Sequence, residues 1–264
     1  MIVVKVGGEV LARNLNEIVE SVGKRSHEGI VLVHGGGNIV TELCKRMGIE
    51  TKFVTSPEGV RSRYTSRDEI EVYVMVMAGK INKRVVSQLS SRGIKSIGIS
   101  GADGPTAIAE RKDKIVIVDE RGRKRVIDGG YTGRIVEIRK ELINLLLDNG
   151  FTVVVAPIAV NEKGELLNVD ADQMAFKLSS AIGAEKLVML TDVPGVIIDN
   201  HVVKRIRACE ASELTKKVGF GMNRKLMSAI NAIDQGVGEV IISSGLVKDP
   251  LSCALAGDGT TISS

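Results

Sequence analysis

The chain opens on Ile2-Val3-Val4-Lys5-Val6, an aliphatic run carrying one lysine, and stops on Gly7-Gly8. The design recurs at Ile30-Val31-Leu32-Val33-His34, which runs into Gly35-Gly36-Gly37. Runs this short and this apolar predict strands buried on both faces, the condition of a parallel sheet covered by helices. Two such strands ending on glycines place bare backbone N–H groups at one sheet edge. N–H groups at a turn and a helix start form a positive concavity that holds phosphate or carboxylate. Neither cluster has the spacing G-x-x-x-x-G-K-[ST] or G-x-G-x-x-G, so a phosphate-handling enzyme of another kind is expected.

Strands and helices alternate along the rest of the chain. Strands are expected at Ile2–Val6, Ile30–Val33, Ile97–Ser100, Thr152–Pro157, Leu187–Thr191 and Glu239–Ser243. Helices are expected at Leu15–Ser26, Asn38–Met47, Arg139–Asn149, Ala171–Ala181 and Met222–Gln235. A polar loop is expected from Thr51 to Arg67, then one long helix from Asp68 to Arg92 with N-cap chemistry in Thr65-Ser66-Arg67. That helix is apolar on more than one side, which predicts full burial or a subunit interface. Ile115–Val118 and Lys124–Ile127 read as a β-hairpin, and Val196–Ile198 with Val202–Val203 as a smaller one. Alternating βα units predict an α/β protein around a mainly parallel sheet. With no linker or repeat, residues 1–160 and 161–264 are expected to be two lobes sharing one continuous sheet.

Charge is uneven between these lobes. Residues 1–160 carry 25 Lys/Arg against 19 Asp/Glu, and residues 161–264 carry 11 against 13. A basic N-terminal half, with clusters at Arg61/Arg63/Arg67 and Arg121/Arg123/Lys124/Arg125, predicts either an acidic partner or simply a solvated face. Nucleic acid is not expected, because only 3% of residues are aromatic and none is interleaved with the charges. No apolar run reaches a membrane span and no signal peptide precedes the first strand, so a cytoplasmic protein is expected. Cys44, Cys209 and Cys253 are isolated; they are expected to be buried, and no metal-ligand set is read from them.

Each chemical candidate has a plainer rival. Lys5 sits between Val4 and Val6, so it is an edge-strand outlier or a buried cation that needs an anion. His34 reads as structural. In Asn168-Val169-Asp170-Ala171-Asp172-Gln173, Asp170 suits an N-cap and Asp172 the first helical turn. Asn168, in the preceding loop, is placed to bind a carboxylate or carbonyl. Gly219-Phe220-Gly221-Met222-Asn223-Arg224-Lys225 leads into a helix whose first turn holds a lysine, against the macrodipole unless an anion is near, and Arg224 is the rival for that role. Leu190-Thr191-Asp192-Val193-Pro194-Gly195 ends a strand at the edge where such sheets bind ligands.

Taken in order, Lys-Val-Gly-Gly, His-Gly-Gly-Gly, Asn-Val-Asp-Ala-Asp-Gln, Thr-Asp-Val-Pro-Gly-Val and Gly-Met-Asn-Arg-Lys resemble the amino acid kinase family, almost end to end. The chain is similar to N-acetylglutamate kinases and their carrier-protein relatives. Ser56-Pro57-Glu58-Gly59-Val60-Arg61-Ser62-Arg63-Tyr64-Thr65 and Gly129-Gly130-Tyr131-Thr132-Gly133-Arg134 resemble the archaeal kinases of aminoadipate and glutamate carried on LysW. The resemblance implies a three-layer αβα sandwich and ATP-dependent phosphorylation of a side-chain carboxylate, in lysine or arginine biosynthesis. The amino group would be blocked by the small acidic carrier LysW. It implies Lys5, Lys225 and Asp172 as catalytic, with Asp172 organising the two lysines. Gly36, Gly37, Arg63 and Asn168 would bind the acid; Gly8, Gly36, Thr191, Asp192, Gly195 and Met222 would bind phosphate or nucleotide. Mg²⁺ would be held mainly by the nucleotide's phosphates. The N-terminal lobe would take the acid and carrier and dimerise through the long helix, and the C-terminal lobe would take ATP. N-acetylglutamate kinase, a UMP or isopentenyl phosphate kinase, and a non-catalytic nucleotide sensor stay open as alternatives.

Overall fold

The computed structural model describes every residue except Glu58, Val60, Lys216 and Lys217, with the backbone alone at Ser212, Glu213 and Phe220. Glu58 and Val60, part of the Ser56–Thr65 resemblance, lie outside the described residues. Strands run β1 (Ile2–Val6), β2 (Ile30–His34), β3 (Lys52–Thr55), β4 (Arg61–Tyr64), β5 (Ser96–Ser100), β6 (Ala107–Arg111), β7 (Lys114–Val118), β8 (Lys124–Asp128) and β9 (Gly133–Ile138). They continue as β10 (Thr152–Ala156), β11 (Ile158–Val160), β12 (Leu166–Asn168), β13 (Lys186–Thr191), β14 (Ile197–Ile198), β15 (His201–Val202), β16 (Arg205–Arg207), β17 (Glu239–Ser244) and β18 (Thr260–Ser263). The helices are α1 (Gly8–Lys24), α2 (Gly37–Arg46), α3 (Arg67–Val74), α4 (Asn82–Ser90), α5 (Glu141–Asp148), α6 (Ala171–Ala181), α7 (Ala208–Leu214), α8 (Phe220–Asp234) and α9 (Pro250–Leu255).

One eight-stranded sheet, ordered β16-β18-β17-β13-β1-β2-β10-β5, crosses both halves of the chain. Its central strands pair in parallel; β18 pairs antiparallel with β17, and β16 runs parallel to β18. The period-two alternation of β1 divides its side chains between two cores. Ile2, Val4 and Val6 join the apolar layer under α1, α3, α4 and α9, while Val3 joins the layer under α5, α6 and α8. Lys5 shares the parity of Val3, so its ammonium is sent toward α6 and α8. A three-layer α/β/α sandwich results, with two small four-stranded sheets, β12-β11-β6-β9 and β4-β3-β7-β8, attached to it.

Several expected boundaries move. The first helix starts at Gly8, not Leu15, because Gly7 caps it in extended geometry; Asn14, at φ −135° and ψ 28°, breaks it internally. The Thr51–Arg67 loop contains the β3–β4 hairpin, whose half-exposed strands lack the aliphatic runs that mark a buried strand. The Asp68–Arg92 helix is continuous in direction but winds as a π-helix over Met75–Ile81 between α3 and α4. The wider turn explains its broad apolar surface. Ser66 caps it, its hydroxyl accepting from Glu69 N at 3.2 Å. The last long helix begins at Phe220, so Lys225 stands in its second turn rather than its first, and the macrodipole argument for it lapses. Asn168 ends strand β12 and is not in a loop. Of the cysteines only Cys44 is buried; Cys209 is exposed and Cys253 half-buried. Among the described residues no helix is long and apolar enough to cross a membrane.

Candidate active site

The parallel strands deliver their C-terminal ends to one edge, and the glycine clusters meet there. Gly7 N donates to Leu190 O and Gly35 N to Val6 O, which laces the ends of β13, β1 and β2 together. Gly8 and Gly36 then touch backbone to backbone: a Cβ on Gly8 would lie 2.7 Å from Gly36 N. No side chain fits at Gly8 without moving that backbone. Both glycines stand at helix starts, where N–H groups have no intrahelical acceptor.

On the strand that leads into Gly7-Gly8, Lys5 Nζ lies 2.8 Å from Asp172 Oδ1, and Lys225 Nζ lies 2.5 Å from Asp172 Oδ2. Three elements converge to make the contact. β1 sends up Lys5, α6 packs across β1 and β2 with Asp172 in its first turn, and α8 lies against α6 and contributes Lys225. Burial works against the charge on Asp172, but the Lys5 and Lys225 ammonium groups outweigh it and hold the carboxyl at about 2. Asp172 is therefore ionised throughout the physiological range, and the triad carries one net positive charge. Asp170 is the N-cap, accepting from Asp172 N at 2.9 Å and Gln173 N at 3.1 Å. The two aspartates thus divide the capping and charge roles that compete in the sequence.

A cleft of ≈ 330 Å³ opens next to the glycine cradle, with Gly36, Gly37, Arg63 and Asn168 among its walls. Arg63 is already engaged: it pairs with the buried Glu69 at 2.5 Å and donates to Gly37 O at 2.7 Å and Thr41 Oγ1 at 2.5 Å. Its guanidinium is rigidly placed, with part of its donor set spent on the protein. Asn168 Nδ2 donates to Thr65 Oγ1 at 2.8 Å, which leaves its carbonyl oxygen as an acceptor. Thr191 and Asp192 close β13, the neighbour of β1, with Thr191 Oγ1 donating to Asp192 Oδ1 at 2.9 Å. Gly195 admits no side chain, since a Cβ would lie 2.7 Å from Thr260 Oγ1. Met222 packs against the α6/α8 core.

Three cleft cations stand beyond those singled out in the sequence as site residues. Arg61, Lys112 and Arg224 also line it, and Arg224 Nη2 lies 3.7 Å from Asp170 Oδ2. Partial burial, then Arg224, lowers the pKa of Lys112. Nothing in the pattern around Lys112 sets it apart, whereas Arg224 is visible as the neighbour of Lys225. Glu69 was readable only as a first-turn acid; its burial follows from Arg63. His34 is fully buried, and burial lowers its pKa to about 4, so it stays neutral, as a structural histidine does.

The donor set fits a nucleotide's phosphates: helix-start N–H groups at a glycine crossing that a Cβ on Gly8 would close, and two ammonium groups paired with one carboxylate. Among the described residues no group of three or more His, Cys, Asp or Glu side chains is placed to hold a metal ion. A phosphate-bound Mg²⁺ is compatible with that, because Mg²⁺ retains water and phosphate oxygens readily.

The fold is that of a kinase class: residues 1–244 match the amino acid kinase family. The chain belongs to that family. It is 54% identical over 264 residues to the [LysW]-aminoadipate/[LysW]-glutamate kinase of Sulfolobus acidocaldarius, covering 99% of this chain and 100% of the relative. The same-named enzyme of Metallosphaera sedula is 53% identical, with 100% of both chains covered. Among solved structures, N-acetylglutamate synthase from Neisseria gonorrhoeae aligns with a TM-score of 0.82 at 24% identity, over 100% of this chain and 59% of that one. Carbamate kinase from Giardia lamblia bound to AMP-PNP aligns at 0.67 and 19% identity, over 99% and 98%. These likenesses establish the amino acid kinase, carbamate kinase-like fold.

Proposed function

We propose that this chain transfers the γ-phosphoryl group of ATP to the side-chain carboxylate of 2-aminoadipate, glutamate or both, carried on LysW. The observation that carries the reading is the convergence of Lys5 and Lys225 on Asp172, with Lys5 on the strand that leads into the glycine cradle. The near-full-length relatives named for LysW-linked substrates supply the acceptor. A carboxylate nucleophile has a reference pKa of about 4.3 and arrives ionised, so no general base is needed. The barrier is the meeting of two anions, and alignment and charge neutralisation lower it. Lys5 and Lys225 neutralise the transferring group from its two sides, and Asp172 fixes the distance between them. Gly8 and Gly36 donate N–H bonds to the phosphoryl oxygens from positions set before the substrate arrives. Arg63, Gly37 and Asn168 bind the blocked acid. Thr191, Asp192, Gly195 and Met222, on the C-terminal lobe, hold the nucleotide. Mg²⁺, when bound to the nucleotide, supplies further charge neutralisation at the phosphates.

The carrier reading is supported by the basic N-terminal lobe, where Arg61 stacks over Phe53 at 4.7 Å on the projecting β4-β3-β7-β8 sheet. A dimer through the α3–α4 helix is supported by Met75, which is 55% exposed on its π-helical turn. The test is hydroxylamine trapping of acyl phosphate with LysW-linked glutamate, LysW-linked aminoadipate and free N-acetylglutamate in parallel. Turnover of the linked acids in preference to the free one is expected. Preference for N-acetylglutamate overturns the carrier assignment, and turnover of none overturns the kinase reading.

A further inference from the structure

Helix α1 carries the cradle glycine Gly8 at its first position, yet it is two pieces joined at Asn14. The second piece is bolted to the segment that follows β17. Ser21 Oγ donates to Asp249 Oδ1 and accepts from Leu251 N at 2.9 Å; Lys24 Nζ reaches Asp249 Oδ2 at 3.0 Å; Glu17 Oε2 accepts from Asp249 N at 3.1 Å. The first piece, Gly8 to Arg13, has no such ladder among the described residues. Its Val10 is wedged against Gly245, where a Cβ would lie 2.4 Å from Val10 Cγ1. At the joint, Asn14 Nδ2 donates to Gly245 O at 2.8 Å and to Val247 O at 2.9 Å. Gly245 N in turn donates to Thr191 O at 2.7 Å. An unbroken hydrogen-bonded path therefore runs from Thr191, at the end of β13, through Gly245 and Asn14 to the helical turn that begins with Gly8.

An asparagine pays a cost for non-helical geometry inside a helix, and its carboxamide is the group that repays it here. We propose that Asn14 is a positioning residue: its two hydrogen bonds fix the tilt of the Gly8–Arg13 turn relative to the end of β13, and so aim the Gly8 N–H. The idea rests on the kinase reading for its consequence but not for its geometry. Asn14 touches no substrate; it acts through Gly8. Misplacing such a donor by about an ångström is enough to cost on the order of 10²-fold in rate, even when the mutation is remote from the chemistry.

The experiment uses the full chain and four variants: Asn14→Ala, Asn14→Asp, Gly8→Ala and the double Gly8→Ala/Asn14→Ala, with Ser21→Ala as a control at the bolted end. Expected for Asn14→Ala is a kcat lowered about 10- to 100-fold, with the KM for the acid within about twofold. Asn14→Asp should be worse, because a carboxylate faces two carbonyls it cannot donate to. The double variant should match Gly8→Ala alone, the non-additivity of residues acting as one unit. Ser21→Ala should lower Tm and leave kcat unchanged. Hydrogen exchange supplies a readout independent of turnover: Asn14→Ala should speed exchange of the residue 9–13 amides while those of β1 and β2 stay protected. Multiplicative effects of Gly8→Ala and Asn14→Ala, a normal kcat in Asn14→Ala, or unchanged exchange at residues 9–13 each overturn the proposal. Altered exchange in a chain that phosphorylates no acid would instead overturn the function and leave the joint standing.

Discussion

Replacing Asp172 with asparagine removes one charge from a triad and nothing else of comparable size. In the native chain, against the cost of burial, the Lys5 and Lys225 ammonium groups hold its carboxyl below the ordinary 3.8, so its charged form stabilises the fold. The sign follows from the direction: a depressed carboxyl stabilises the fold fully above its unfolded pKa and loses that contribution as pH falls through the folded one. Asp172→Asn should therefore be less stable at pH 7, by about 1–3 kcal/mol on the scale of a lost charged hydrogen bond, and the gap should narrow as pH falls through the folded pKa. The catalytic consequence is larger. Lys5 and Lys225, now unneutralised, repel each other and lose the carboxylate that spaces them. We expect kcat to fall by roughly 10²- to 10³-fold, the scale seen when one charge-stabilising group of an active site is lost. The KM for ATP should not rise, because the site gains a net positive charge. Denaturant melts across pH and steady-state kinetics with both substrates measure the two effects. A kcat within threefold of native would refute the idea that Asp172 organises the lysines, and a stability gap that widens in acid would refute the assignment of its pKa.

Other perturbations follow from the same contacts. Lys5→Ala should lower kcat by roughly 10²-fold or more in the acyl phosphate trapping assay, and a near-normal rate would remove Lys5 from the mechanism. Gly8→Ala sets a methyl 2.7 Å from the backbone of Gly36, so kcat should fall by roughly 10²-fold while staying measurable, with the far-UV CD spectrum native. Gly36→Ala instead meets Ile81 Cδ1 at 2.1 Å and Met77 Sδ at 3.1 Å, both flexible side-chain ends. It should be tolerated in folding at a cost of about 1–3 kcal/mol, read by thermal melts, through displacement of the π-helical turn. Glu69→Ala removes the buried carboxylate that anchors the half-buried Arg63 guanidinium and should destabilise by about 1–3 kcal/mol; Glu69→Gln should restore part of that stability.

The amino-acid sequence makes the sheet legible because its central strands are buried on both faces and cannot be anything but aliphatic. Ile2–Val6, Lys186–Thr191 and Glu239–Ser244 announce themselves by composition alone. The β3–β4 hairpin and the β6–β9–β11–β12 sheet do not, since their strands alternate or mix exposed polar residues and depend on tertiary pairing for definition. Lys5 stands out as a charge in a run that should have none. Its counter-ion Asp172 is disguised, because the first turn of α6 is where an acid belongs anyway. Lys225 lies in the second turn of α8, not the first, and the nearby anion its position calls for is the Asp172 carboxylate of α6. Glu69 shows locally only as a first-turn acid, and Asn14 carries no local signal. Their roles exist only once β4 has delivered Arg63 and the segment after β17 has delivered Gly245 and Val247.

The measurement closest to the central claim is a crystal structure of the enzyme with ADP, an aluminium fluoride mimic of the phosphoryl group in transfer, and the blocked acid. Both the Lys5 and Lys225 ammonium nitrogens should lie within hydrogen-bonding distance of the mimic's fluorides, with Asp172 still between them. A mimic contacted by only one of the two, or seated away from the Gly8–Gly36 crossing, would contradict the account.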